Sequence, residues 1–215
     1  MSRALTSELA MLASPLTTPL FLRKYQRKQL KQYQRRESIH KGMGDMIVCL
    51  DESLSTVGDD AAWGKAVALT LLDIATDSKR SFALIHFSGP GSFKSDIFRP
   101  GSYSEQDKMA AAECFLGGGT DFETPLREAV RLISEDGFEN ADVVFITDGD
   151  CELQEAFSEQ LRKAQAANGF SVTGVLLDAG SPDWEFSLKS FCQKIYRTSE
   201  LMGDEIVRSL VSERV

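Results

Sequence analysis

Five apolar residues, Met46-Ile47-Val48-Cys49-Leu50, run without a break into Asp51-Glu52-Ser53-Leu54-Ser55. The run is short and shows no apolar-polar alternation, which predicts a strand covered on both faces. Strands of that kind belong to sheets flanked by helices on each side, and ligands bind such sheets beyond the carboxyl ends of their strands. Asp51 falls at that edge, with hydroxyls following at i+2 and i+4. One carboxylate and two hydroxyls from a single tight loop are hard oxygen donors, suited to Mg²⁺, Mn²⁺ or Ca²⁺ rather than to zinc or copper. A dication held by so little charge stays electron-poor and attracts a carboxylate from outside. The competing reading of the same loop is a cap for the next helix.

The rest of the chain repeats the strand-then-helix rhythm. Ala66, Val67, Thr70, Leu71 and Ile74 recur at helical spacing within 61–75, and Leu69 and Leu72 widen that face. Residues 81–87 read as a second strand. The Gly89-Pro90-Gly91 turn then leads to Phe93–Phe98 as an antiparallel edge strand before Pro100. The GPGSFKS stretch lacks the spacing of a phosphate loop and leads to a strand, and His86 reads as a satisfied strand histidine. A helix over 104–116 is expected, with Ser104 as cap, then the turn Gly117-Gly118-Gly119-Thr120-Asp121. Three glycines let main chain pass through torsions closed to other residues and come close to a neighbour. Thr124-Pro125 predicts the start of a helix running to about Glu135.

Ala141–Thr147 is another covered strand and also ends in an acid, Asp148-Gly149-Asp150. Two strands thus deliver carboxylates to one sheet edge. A helix over 153–168 closed by Gly169, a strand at 170–177, a short helix at 184–191, a short strand at 192–196 and a final helix over 200–212 complete the series. The predicted fold class is α/β: a doubly wound, mainly parallel sheet with one antiparallel edge strand and helices on both faces.

Charge divides the chain. Residues 1–44 hold nine Lys/Arg against two Asp/Glu, about +7, which leaves about −15 for residues 45–215 of the total of −8. An acidic body argues against nucleic acid as partner. The basic segment spaces Leu20, Phe21, Leu22, Tyr25, Leu30 and Tyr33 as an amphipathic helix, so residues 1–44 are expected to be a helical extension of a domain spanning 45–215. Residues 1–22 are interrupted by Glu8, Pro15 and Pro19 and make no signal-peptide core, and no apolar stretch is long enough to span a membrane. Four scattered cysteines form no CxxC pair, which fits reduced thiols in the cytoplasm.

Taken together, Asp51-x-Ser53-x-Ser55, Thr120 after the glycine triplet and Asp148 in Ile-Thr-Asp-Gly resemble the metal-ion-dependent adhesion site of von Willebrand factor A domains, over about residues 45–215. The resemblance implies the Rossmann-like fold of that family. It also implies that Ser53 and Ser55 bind Mg²⁺ through their hydroxyls, and that Asp51, Thr120 and Asp148 hold it directly or through water. By the same resemblance, one position is left for water or for a protein partner's Asp or Glu. The lead-in Phe21-Leu22-Arg23-Lys24-Tyr25 is further similar to the segment preceding the A domain in the bacterial intracellular ViaA and CoxE-like branch, which works with MoxR-type AAA+ ATPases. Two features depart from the motif: Leu54 stands where glycine is common between the serines, and Glu52 and Asp150 add carboxylates.

The expected function is a non-enzymatic, metal-dependent protein-interaction domain serving as adaptor or co-chaperone of such an ATPase. Two other readings stand beside it. One is an interaction domain with a degenerate metal site that binds through its N-terminal helix. The other is a Mg²⁺-dependent phosphohydrolase, although Ser53 occupies the position where those enzymes carry a second acid.

Overall fold

The computed structural model describes residues 18, 23–24, 44–56, 58–138, 140–177, 185–200 and 203–212. The chain separates into two units, Met1–His40 and Lys41–Val215. Of the first unit only Thr18, Arg23 and Lys24 are described, each helical, so the expected basic amphipathic helix otherwise lies outside the described residues.

The elements of the second unit are β1 (Met46–Asp51), a single 3-10 turn (Leu54–Thr56), α1 (Asp59–Asp77), β2 (Phe82–Phe87), β3 (Phe93–Phe98), α2 (Glu105–Ala112), α3 (Glu123–Glu135), β4 (Asp142–Thr147), α4 (Glu155–Asn168), β5 (Ser171–Leu176), α5 (Glu185–Lys189), β6 (Lys194–Arg197) and α6 (Gly203–Ser212). They form one six-stranded sheet in the order β3-β2-β1-β4-β5-β6. All neighbours are parallel except β2 and β3, which pair antiparallel from Phe82↔Phe98 to Phe87↔Phe93. This is the predicted sheet, antiparallel edge included.

Every residue of β1 is buried because the strand has helices above and below it. Side chains alternate across a strand, so Ile47 and Cys49 enter one core and Met46, Val48 and Leu50 the other. The first core sits under α3 and α4 and contains a ring cluster in which Phe145 lies 5.0 Å from Phe122 and 5.2 Å from Phe191. The second sits under α1 and α6. At roughly 1.5–3 kcal/mol per fully buried large apolar side chain, these two layers are the main force placing β1 at the centre.

Two local expectations change. The buried stripe of α1 is Gly64, Val67, Ala68, Leu71, Leu72 and Ala75, while Ala66 and Thr70 face water. The helix is turned by about one residue because Gly64 lies against β1. A Cβ there would sit 3.0 Å from Leu50 Cδ1, so the close approach of helix to strand decides the rotation. Thr124 does not cap α3, which begins at Glu123. Asp121 does that work: its carboxylate accepts from the Glu123 amide (3.3 Å), the Thr124 amide (3.1 Å) and the Thr124 hydroxyl (2.5 Å). Ser104 caps α2 as expected, in a reciprocal capping box with Asp107.

Candidate metal centre

β1 and β4 are adjacent, and the connections leaving them run to opposite sides of the sheet, so a crevice opens at their carboxyl ends. Asp51 is the last residue of β1, and Asp148 immediately follows β4. The register pairs Leu50 with Ile146, which sets Asp51 beside Thr147.

Two chains of hydrogen bonds knit the crevice. In the first, the Ser53 amide donates to Asp51 Oδ1 (3.0 Å), the Thr147 hydroxyl donates to Asp51 Oδ2 (2.5 Å), and the Gly149 amide donates to the Thr147 hydroxyl (2.9 Å). In the second, the Ser55 hydroxyl donates to Asp148 Oδ1 at 2.9 Å. Its single proton is thereby used, so the Ser53 hydroxyl, 2.9 Å away, donates to Ser55. Thr120 reaches the same place: a Cβ on Gly149 would lie 3.3 Å from Thr120 Oγ1 and 3.4 Å from Thr147 Oγ1. All five residues named from the sequence therefore converge. Thr147 is the contributor that sequence reasoning missed, although its place at the end of a strand, directly before the acid, was a usable signal.

The glycine turn brings Thr120 in. Gly117 and Gly118 adopt φ of 67° and 95°, left-handed backbone that a side chain would strain. Gly117 N–H donates to Glu52 O (2.9 Å), Leu54 N–H to Gly118 O (3.1 Å) and Asp121 N–H to Ser88 O (2.8 Å). The turn is thus laced to the 51–55 loop on one side and to the end of β2 on the other. Gly149→Ala is expected to push on Thr120 and Thr147 and to weaken metal binding while the circular dichroism spectrum stays that of the parent.

Both acids sit in surroundings that disfavour their charge. Burial raises the Asp51 carboxyl above the ordinary range against the pull of its hydrogen bonds to Thr147 and Ser53, and Asp148 adds repulsion. Burial likewise raises Asp148, with Asp60 repelling it. Among the described residues, the charges acting on this pair are other carboxylates. Glu52, one residue along, has different partners. It is 1% exposed, and its Oε1 accepts from His86 Nδ1 at 3.0 Å while Oε2 lies 3.4 Å from Lys65 Nζ. The other extra carboxylate, Asp150, accepts from the Ser187 hydroxyl. His86 Nε2 and Glu52 Oε2 make no hydrogen bond.

The cluster offers two carboxylates and three hydroxyls, all hard donors and no sulfur or imidazole. Among the described residues no three His, Cys, Asp or Glu side chains come together as ligands, the kind of set zinc takes. The donor set fits Mg²⁺ or Mn²⁺, which take six oxygens and leave room for water or an outside acid.

No family model matches the chain. Two uncharacterized proteins of the archaeon Methanocaldococcus jannaschii are similar in sequence. One is 31% identical over 186 residues, covering 86% of this chain and 42% of that protein. The other is 33% identical over 175 residues, covering 81% and 43%. The chain thus spans less than half the length of the curated relatives it matches, and these are archaeal rather than bacterial. Among solved structures, a von Willebrand factor type A protein from Catenulispora acidiphila superposes with a TM-score of 0.58 at 17% identity, over 79% of this chain and 42% of that one. The conserved hypothetical protein BatB of Bacteroides thetaiotaomicron gives 0.56 at 18% identity, over 78% and 97%. The SpRpn10 VWA domain gives 0.55 at 12%, over 78% and 95%. Sheet order, the antiparallel edge and these superpositions identify the fold as that of von Willebrand factor A domains.

Proposed function

We propose that this chain is a divalent-metal-dependent protein-binding domain without enzymatic activity. Asp51, Ser53, Ser55, Thr120 and Asp148 would hold Mg²⁺ or Mn²⁺, and the ion supplies a Lewis-acidic position for an Asp or Glu of the partner. The observation that carries this reading is the convergence of three separate loops on two buried, charge-penalised carboxylates whose electrostatic neighbours are acids. Such a pair is destabilising alone and is offset by a cation. The A fold is commonly a protein-interaction module, which agrees with a binding role. A MoxR-type AAA+ ATPase is the partner proposed, on the likeness of the Phe21–Tyr33 lead-in to the ViaA and CoxE-like branch; the cytoplasm is the compartment that partner implies. Among the described residues no helix is long and apolar enough to cross a membrane. A phosphohydrolase is disfavoured because the hydroxyl of Ser53, where a second acid is needed, donates to Ser55.

Calorimetric titration with Mg²⁺ and with Mn²⁺ tests the site. One ion per chain is expected, lost in Asp51→Ala and weakened at least tenfold in Ser53→Ala. Absence of binding to the parent protein overturns the proposal. Affinity capture with and without EDTA tests the partner. Capture that needs the metal and survives deletion of residues 1–44 supports the metal site, whereas capture abolished by the deletion and indifferent to EDTA assigns binding to the N-terminal segment.

A further inference from the structure

Leu54 separates the two serines of the proposed metal site and is 63% exposed; Phe115, before the glycine turn, is 50% exposed. An exposed leucine by itself says little. These two are neighbours, because a Cβ on Gly117 would meet Phe115 Cε1 at 3.5 Å and Leu54 Cδ2 at 3.9 Å. They are also fixed to the metal loop: Leu54 N–H donates to Gly118 O (3.1 Å), and Gly117 N–H donates to Glu52 O (2.9 Å). Ser55, adjoining Leu54, is exposed while Ser53 and Asp148 are buried, so the cluster opens to solvent beside this ledge.

We infer that Leu54 and Phe115 form an apolar ledge that selects the partner: a protein segment in which one Asp or Glu is flanked by a large apolar side chain, on an otherwise basic surface. The inference rests on the metal reading proposed for the same cluster. A dication balanced by Asp51 and Asp148 leaves the centre near neutral, so an approaching carboxylate is drawn by the open coordination position alone. The acidic body, about −15 over residues 45–215, repels partners rich in acids at longer range and attracts basic ones. Affinity beyond the single coordinate bond then has to come from apolar contact at the rim. The ledge is suited to that, being exposed and carried on main chain that hydrogen bonds anchor. Leu54 is on this account a specificity residue.

Two synthetic peptides of equal charge test the inference, both lysine-containing, with a single Glu flanked by leucines in one and by serines in the other. Binding is followed by ¹⁵N NMR titration of the full chain in Mg²⁺. The leucine-flanked peptide is expected to bind at least tenfold more tightly, with shifts centred on Leu54 and Phe115. EDTA, or Gln in place of Glu, is expected to abolish binding. In the Leu54→Ser, Phe115→Ser double variant the preference disappears while Mn²⁺ affinity, measured by electron paramagnetic resonance, stays at the parent value. Equal binding of the two peptides, a preference that persists in the double variant, or capture of neither peptide by the metal-loaded protein overturns the ledge. Failure of the parent protein to bind Mn²⁺ overturns the metal reading itself, so the two failures are told apart.

Discussion

Saturating Mg²⁺ is expected to raise the thermal midpoint of this protein by roughly 5–10 °C, and Asp148→Asn to remove that gain. An ion at a hundredfold its dissociation constant stabilises the native state by about 2.7 kcal/mol, and each kcal/mol moves the midpoint of a domain this size by about 2–4 °C. The same substitution is expected to stabilise the metal-free protein. Asp148 ionised is a buried charge with Asp60 repelling it, and asparagine still accepts from Ser55. The pH dependence follows from the sign of the shifts. Asp51 and Asp148 have folded-state pKa values above the ordinary 3.8. The folded metal-free protein therefore binds protons more tightly than the unfolded chain, and these two groups add stability as pH falls through their raised folded values toward 3.8. Metal binding needs both ionised, so the increment from Mg²⁺ shrinks over that same interval. Differential scanning fluorimetry in Mg²⁺ and in EDTA across pH 4–8 reads both slopes. A Mg²⁺ increment that is flat with pH, or that persists in Asp148→Asn, contradicts the assignment.

Glu52→Ala is expected to lower the unfolding free energy by about 1–3 kcal/mol and to weaken Mn²⁺ binding, although Glu52 is outside the proposed donor set. Removing a buried carboxylate leaves the polar groups it meets without their acceptor, and an orphaned buried donor costs about 1–3 kcal/mol. Here the carboxylate joins His86 on β2 to Lys65 on α1, and His86 in turn lies 3.4 Å from Asp96 on β3. Its backbone ties the end of β2 to the glycine turn through Glu52 N–H to Phe87 O (2.8 Å) and Gly117 N–H to Glu52 O (2.9 Å). Loss of the side chain leaves those backbone bonds in place but removes the contacts to His86 and Lys65 that hold residue 52 against β2 and α1, so the turn that carries Thr120 is expected to loosen. Urea denaturation of Glu52→Ala, His86→Ala and the double variant measures the coupling. Single changes that simply add contradict the pairing. Glu52→Gln, which keeps one hydrogen-bonding oxygen, is expected to retain more metal affinity than Glu52→Ala.

Much of this molecule is legible in its sequence because the signals are local. An apolar run without alternation, as in Met46–Leu50, requires cover on both faces, and its repetition at Ala141–Thr147 requires parallel strands with intervening helices. The same sequence also placed acids at the ends of two strands and glycines at the turn before Thr120, so the five candidate residues could be named without coordinates. The unlinked parts of that set become one site only if the strands order themselves with β1 beside β4, and the resemblance to A domains, rather than residue pattern alone, supplied that adjacency.

Other features depend on contacts between residues far apart in the chain, and these only the tertiary structure decided. The rotation of α1 follows from Gly64 closing on Leu50, which no periodicity within the helix records. The cap of α3 passed from Thr124 to Asp121 because the loop holding Asp121 is anchored to Ser88. Above all, adjacent carboxylates of similar chemistry took opposite roles. Asp51 faces hydroxyls and another acid, while Glu52 faces His86 and Lys65 from β2 and α1. Sequence determines which groups a strand end presents, since that follows from alternation and local torsion. What each group then meets is fixed by packing across the sheet, where charge is either matched by the protein or left for an ion to match.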